Sequence, residues 1–247
     1  MQEKIKKARD AIAQASKILV FTGAGISRES GVPTFREAGG LWEKFKAEDF
    51  ATLDAFKKRP KEVWEWYRFR RDLARKAEPN PAHYAVAKLE TLHDDFMVAT
   101  QNIDNLHQRA GAKKVLELHG NIMRSYCLTC GHKVDESEHE LEGEVPTCPK
   151  GDCGGVMRPD VVWFGEFLDP KVLEQSFLFA AECDCCIVIG TSGLVYPAAQ
   201  IPFLARRNDA CIIEINPEPS ALTQIADYFL KGKAGDIMPM LVEENPG

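Results

Sequence analysis

Two short segments carry residue types that could do chemistry. Gly23-Ala24-Gly25-Ile26-Ser27 is a glycine-rich turn, and His119 stands in Leu118-His119-Gly120. Between them lies Gln101-Asn102-Ile103-Asp104, a run of amide and carboxylate groups. Glycines in a turn after a strand let the backbone approach a pyrophosphate, whose oxygens accept from backbone N–H groups. Histidine is a base near neutral pH. A glycine turn with a single general base and no hydride-transfer partner points to a dinucleotide that is consumed rather than reduced. The turn is an incomplete fingerprint, because Arg28 stands at the third glycine position. Taken alone, Gly23-x-Gly25 is equally a tight structural turn.

A second constellation is built from sulfur. Cys127-x2-Cys130 and Cys148-x4-Cys153 are two pairs separated by seventeen residues. In a reducing compartment this spacing reads as a zinc site, not as disulfides. Four thiolates close a tetrahedral site and leave no position for water, so the zinc would be structural. Residues 121–159 are rich in Cys, Gly, Glu and Pro and poor in apolar residues, so the metal must hold them. Cys183, Cys185, Cys186 and Cys211 sit in or beside apolar runs and read as small buried hydrophobes. His83, His93, His107, His132 and His139 read as surface or packing residues.

The elements that must position these groups alternate. A helix is expected over 3–16, then the apolar strand Ile18-Leu19-Val20-Phe21, leading straight into the glycine turn. A helix opened by Pro60 spans 60–77, and Pro79-Asn80-Pro81 breaks it. A further helix leads to strand 96–100, another near 104–110 leads to 115–118, and strand character resumes at Val161-Val162-Trp163-Phe164. Helix 170–181, strand 185–189, helix 197–207 and strand 211–215 complete the pattern. Alternating strands and helices imply an α/β fold with a Rossmann-like, doubly wound parallel sheet. The expected division places 1–36, 81–120 and 160–247 in that domain. A helical insertion, 37–80, and the zinc-ribbon module, 121–159, form a small second domain.

Composition excludes several classes. The 247 residues carry a net charge of −6, with 45% hydrophobic and 28% charged residues, ordinary for a globular protein. The acidic balance disfavours nucleic acid as a partner. No apolar run reaches the ~18 residues of a membrane span, and the charged N-terminus lacks a signal core. A cytoplasmic protein without a membrane partner is expected, and a monomer.

The motifs, taken in order, resemble the sirtuin family. Gly23-Ala24-Gly25-Ile26-Ser27 with Glu29-Ser30-Gly31-Val32-Pro33-Thr34-Phe35-Arg36 is similar to its signature, and Gln101-Asn102-Ile103-Asp104-Asn105-Leu106-His107 to its second motif. Leu118-His119-Gly120 is similar to its catalytic-histidine motif, and the cysteine pairs to its zinc module. Val162-Trp163-Phe164-Gly165-Glu166, Gly190-Thr191-Ser192 and Asn216-Pro217-Glu218 follow at family-like spacing. The resemblance spans about residues 10–240, and Glu37 departs from it where many members have glycine. It implies an NAD-dependent protein-lysine deacylase with one structural Zn2+. Gly23, Ala24, Gly25, Phe35, Arg36 and Trp42 would line the phosphate and nicotinamide-ribose side, and Gln101, Asn102 and Asp104 the nicotinamide and its ribose. Gly190, Thr191, Ser192, Asn216, Glu218 and Ala234 would hold the adenosine half. The acyl-lysine oxygen would capture the oxocarbenium-like ribose, held close to it. His119 would then deprotonate a ribose hydroxyl as general base, giving free lysine, nicotinamide and O-acyl-ADP-ribose. Val162, Phe164, Gly165 and Glu166 would offer a strand edge to the substrate peptide.

Tyr67 and Arg70 lie three apart on the expected 60–77 helix and share a face. In one sirtuin subclass, with desuccinylase and demalonylase activity, a Tyr-x-x-Arg pair reads the acyl carboxylate. Arginine suits bidentate carboxylate binding, and the phenol adds a hydrogen bond. Ala51 matches the small residue that widens that subclass's acyl pocket. Acetyl removal is expected to persist beside succinyl and malonyl removal.

Three rival readings lose on residues. An NAD-dependent dehydrogenase calls for the glycine that Arg28 replaces. A zinc-ribbon binding module calls for basic residues, whereas 135–144 is acidic. A protein ADP-ribosyltransferase would leave His119 and the acyl-pocket motif without a role.

Overall fold

Ile18-Leu19-Val20-Phe21, four apolar residues in a row, form the middle of β1 (Lys17–Thr22) and are wholly buried. They can be apolar without alternation because both faces of their sheet are covered. The structure, a computed structural model, describes residues 1–33, 46–137 and 139–243. β1 lies between β2 (Asp95–Thr100) and β7 (Cys185–Ile189). Beyond β2 lies β3 (Val115–Glu117), and beyond β7 lie β8 (Cys211–Asn216) and β9 (Tyr228–Lys231), all parallel. From β1 the chain winds first to one side and then to the other. This is the expected doubly wound sheet, and it opens a crevice at the carboxyl ends of β1 and β7.

Helices cover both faces. α1 (Gln2–Gln14), α5 (Pro81–Leu92) and α9 (Ala234–Val242) bury Ile5, Ile12, Val86, Leu89 and Leu241 on one. α7 (Pro170–Glu182) and α8 (Gln200–Arg207) bury Ala180, Ile201 and Ala205 on the other. The starts of α5 and α7 are written locally. Asn80 caps α5 before Pro81, and His83 Nδ1 accepts in return from the Asn80 amide at 3.2 Å. Asp169 accepts from the amides of Lys171 and Val172. Among the described residues no helix is long and apolar enough to cross a membrane.

The small module has its own sheet, in which β4 (Gly120–Cys127) pairs antiparallel with β5 (Lys133–Asp135) and β6 (Met157–Val161). α3 (Leu53–Lys58) and α4 (Pro60–Lys76) share its core through Phe56, Val63, Trp64 and Tyr67, and Phe50 of α2 (Ala47–Phe50) packs against it. α6 (Leu106–Arg109) is a single turn beyond β2. Two findings differ from the sequence reading. The strand expected at 161–164 ends at Val161, because Trp163 and Glu166 close a turn there (Glu166 N to Trp163 O, 3.0 Å). β9 and α9 lie beyond the last expected element, and Pro239 inside α9 hides its helical pattern.

Candidate active site

At the switch point two loops touch backbone to backbone. The Gly25 amide donates to the Gly190 carbonyl at 2.8 Å, and the Gly23 amide to Ile189 at 3.0 Å. A Cβ on Gly25 would meet Gly190 Cα at 2.7 Å, and Gly190 holds a positive φ of 60°. These glycines are needed first for loop-to-loop contact, as a structural turn would require, and that contact leaves a floor without side chains. The chain then enters a 3-10 helix, Ala24–Ser30, whose Glu29 accepts from the Gly235 amide at the start of α9.

A cavity of about 270 Å3 opens above this floor. Its walls include Gly23, Ala24, Gly25, Gln101, Asn102, His119, Gly190, Thr191 and Ser192, and at its other end Tyr67, Arg70, Val162, Phe164, Gly165 and Glu166. Motifs spread over some 170 residues of sequence thus share one space. Asp104 lines a smaller adjoining cavity, with Arg70 and Asn102. Asn216 lies outside the lining and braces it, its Nδ2 donating to the Thr191 carbonyl at 2.9 Å. Glu218 pairs with Lys231 at 2.9 Å on the surface, and Ala234 is buried at the start of α9. Phe35, Arg36 and Trp42 lie outside the described residues.

His119 follows β3, and its Nδ1 lies 2.9 Å from the Gln101 carbonyl. A carbonyl only accepts, so Nδ1 carries the hydrogen and Nε2 keeps the basic lone pair. Burial pushes the imidazole below its ordinary pKa, and the Gln101 carbonyl offsets part of that shift. Gln101 Nε2 reaches Thr191 Oγ1 at 2.9 Å, tying the ends of β2 and β7 together. Asn102 Nδ2 donates to Ser27 Oγ, which donates to Asp104 at 2.7 Å. Burial raises the Asp104 carboxyl, while the Leu106 amide and Ser27 hydroxyl hold it back.

Beneath lie two of the histidines read from sequence as surface or packing residues, and the structure packs both. His83 and His107 are buried edge to face, 5.1 Å between ring centroids. His107 Nε2 meets Thr22 Oγ1 at 3.0 Å, Thr22 donates to Thr100, and Thr100 Oγ1 accepts from the Asn102 amide. Burial pushes His83 down to about 4 and His107 to about 3, so both are neutral.

At the other end, α4 presents Tyr67 and Arg70. The Tyr67 hydroxyl accepts from Trp163 Nε1 at 2.8 Å, and burial raises its pKa. Arg70 lies 4.7 Å from the Trp66 ring centroid, and burial lowers its pKa against the attraction of Tyr67 and Asp104. Segment 162–166 is a turn whose amides are largely committed: Val162 to His119 O, Phe164 to Ala51 O and Trp163 to the Glu166 carboxylate. Glu166 also pairs with the buried Arg158, whose guanidinium lies 3.4 Å from the Trp163 ring centroid. Arg158 escaped the sequence reading because nothing local marks its stacking.

In the small module the sulfur atoms of Cys127, Cys130, Cys148 and Cys153 all lie within 4.8 Å of one another. Cys127–Cys153 and Cys130–Cys148 are each 3.7 Å apart. A tetrahedral zinc with bonds of about 2.3 Å sets sulfurs roughly 3.8 Å apart. The cluster fits that ion.

The family model described as Sir2 family matches residues 23–197. A protein of Pyrococcus furiosus called NAD-dependent protein deacylase is 51% identical over 238 residues, 94% of each chain. A solved Sir2 homologue–NAD complex is 44% identical, with a TM-score of 0.89 over 96% of this chain and 92% of its own. A mutant Sir2 homologue solved with 2'-O-acetyl ADP ribose is 43% identical, with a TM-score of 0.90 over 96% of this chain and 94% of its own. With its motifs gathered at the switch point of the expected sheet, the chain belongs to the Sir2 family.

Proposed function

We propose that this protein removes acidic acyl groups, succinyl and malonyl, as well as acetyl, from lysine side chains, and that Tyr67 and Arg70 read the acyl carboxylate. The underlying activity is NAD-dependent protein deacylation, as the relatives' names and ligands support. The observation that carries the acyl reading is that Tyr67, Arg70 and His119 line one cavity. An acyl-lysine entering it has a base at one end and a guanidinium at the other.

Bound NAD supplies an electrophilic ribose carbon, exposed as nicotinamide leaves, and carries away the acyl group. The residues do the rest. The Gly23–Gly25 and Gly190–Ser192 loops offer a floor free of side chains, with Asn216 bracing the second; Glu218 and Ala234 complete the adenosine side. Gln101, tied to Thr191, and Asn102 and Asp104, linked through Ser27, hold the nicotinamide side. His119 Nε2 takes a ribose hydroxyl proton, and the Gln101 carbonyl keeps the ring in the tautomer that can do so. Arg70 meets the acyl carboxylate with two N–H donors and the Tyr67 hydroxyl adds a third. Ala51, buried at the cavity wall, leaves room for a longer acyl chain. Val162, Phe164 and Gly165 border the lysine's entry, and Glu166 holds their turn through Arg158.

The same reading assigns the sheet domain to 1–36, 81–120 and 160–247 and the small domain to 37–80 and 121–159, supported by the two separate sheets. It places a monomer in the cytoplasm, acting on proteins without nucleic-acid or membrane partners. The four thiols grouped for a metal, not paired as disulfides, support the reducing compartment in this reading. Mass spectrometry of a succinyl-lysine peptide treated with enzyme and NAD tests the acyl reading. Free lysine and O-succinyl-ADP-ribose are expected; an untouched peptide refutes it.

A further inference from the structure

α4 carries four arginines, and the structure divides them. Arg70 lines the cavity. Arg68, Arg71 and Arg75, spaced three and four apart, share a neighbouring face and turn to the acidic run between the cysteine pairs. Arg71 is fully buried; it donates to the Ile122 carbonyl at 2.7 Å, to Glu136 at 2.8 Å and to Ser125 at 3.3 Å. Arg75 donates to Glu140 at 2.9 Å and to the Glu136 carbonyl. Arg68 donates to the carbonyls of Leu141 and Gly143, and Lys61 pairs with Glu144 at 2.5 Å. The acidic run therefore lies antiparallel along α4, with Glu136 at the Arg71–Arg75 end and Glu144 at the Lys61 end. Glu136 is itself fully buried and also accepts from Ser125 and from the Leu141 amide.

This strap does two things for the neighbouring face. It gives Arg68, Arg71 and Arg75 carboxylate or carbonyl partners in the small module. It also fixes the rotation of the helix through a buried, multiply bonded ion pair, whose disruption leaves a charge uncompensated inside the protein. We infer that the acidic strap, through Glu136 and Glu140, is a specificity-determining positioning element: it holds α4 so that Tyr67 and Arg70 meet an acyl carboxylate in one geometry. This role presupposes the carboxylate reading proposed for Tyr67 and Arg70. Two-point contact with a carboxylate is directional, and a displacement near 1 Å can cost about a hundredfold in rate. An acetyl group has no carboxylate and does not register the displacement.

The test compares succinyl- and acetyl-lysine peptides of one sequence on the full chain carrying Glu136→Gln, Glu136→Asp, Glu140→Gln or Arg70→Met. Glu140 is partly exposed, so Glu140→Gln keeps the test open if Glu136→Gln does not fold. Each Gln variant is expected to lower kcat/KM for the succinyl peptide about tenfold, mainly through KM, with acetyl removal within about twofold of the parent. Glu136→Asp is expected to restore part of the loss. An equal fall for both peptides, or no fall, overturns the strap's role. If Arg70→Met collapses the succinyl-to-acetyl ratio and the strap variants do not, only the strap's role falls. If Arg70→Met leaves the ratio unchanged, the carboxylate reading falls and the strap's role with it.

Discussion

His119 Nδ1 lies 2.9 Å from the carbonyl oxygen of Gln101, the residue whose side chain also reaches Thr191 across the switch point. One residue thus sets the tautomer of the base and joins the two strand ends that flank the cavity. His119→Ala is expected to slow deacylation by about 10^2- to 10^4-fold, the usual worth of a positioned general base, while the fold and melting temperature persist. A variant with near-parental turnover would remove His119 from the chemistry.

The same geometry sets a pH dependence. The base must be neutral, and burial disfavours the imidazolium, so the His119 pKa lies below the ordinary 6.5. The acid limb of the kcat/KM profile in free enzyme is expected below pH 6.5, with a plateau above it. An acid limb at or above that value would contradict the buried, carbonyl-bonded ring.

His83 and His107 predict a separate effect on stability. Both are neutral when folded, with values pushed to about 4 and about 3 by burial, and both regain the ordinary 6.5 on unfolding. Above 6.5 neither state binds the proton. Below it the unfolded state binds protons that the folded state refuses, so stability falls with decreasing pH. The slope is about 1.4 kcal/mol per pH unit for each histidine, down to the folded values. Urea titrations between pH 7 and 5 check this, and replacing His107 with Gln is expected to flatten the slope. A slope unchanged by that replacement would count against a neutral buried pair.

The zinc cluster predicts that the small module depends on its metal. Cys127 and Cys148 are buried in the core that α4 shares with β4 and β6. Chelation, or Cys130→Ser, is expected to lower the melting temperature and to expose the tryptophans of α4, seen as a fluorescence shift. A chelated protein that melts and fluoresces as before would make the cluster dispensable.

Much of this was legible in the chain because local chemistry and final position agree. The apolar run of β1, the helix break at Pro79-Asn80-Pro81 and the four-cysteine spacing each mean in the fold what they mean in sequence. The tertiary uses were not legible. Arg158 and Glu166 find each other only through the turn at 162–166, and His83 and His107 only through the meeting of α5 and α6. The acidic run, read against nucleic acid, is spent on the arginines of α4. The glycines were legible as a turn, but their need comes from Gly25 against Gly190, two residues far apart in sequence.

The most direct test of the central claim compares NAD-dependent removal of succinyl and acetyl from one peptide by the parent chain and by Arg70→Met, with products followed by mass spectrometry. Losing a charge-assisted contact worth about 1.5–3 kcal/mol predicts a fall of about 10- to 150-fold in kcat/KM for succinyl and a much smaller one for acetyl. Equal losses for the two peptides, or succinyl removal that survives without Arg70, would contradict the account.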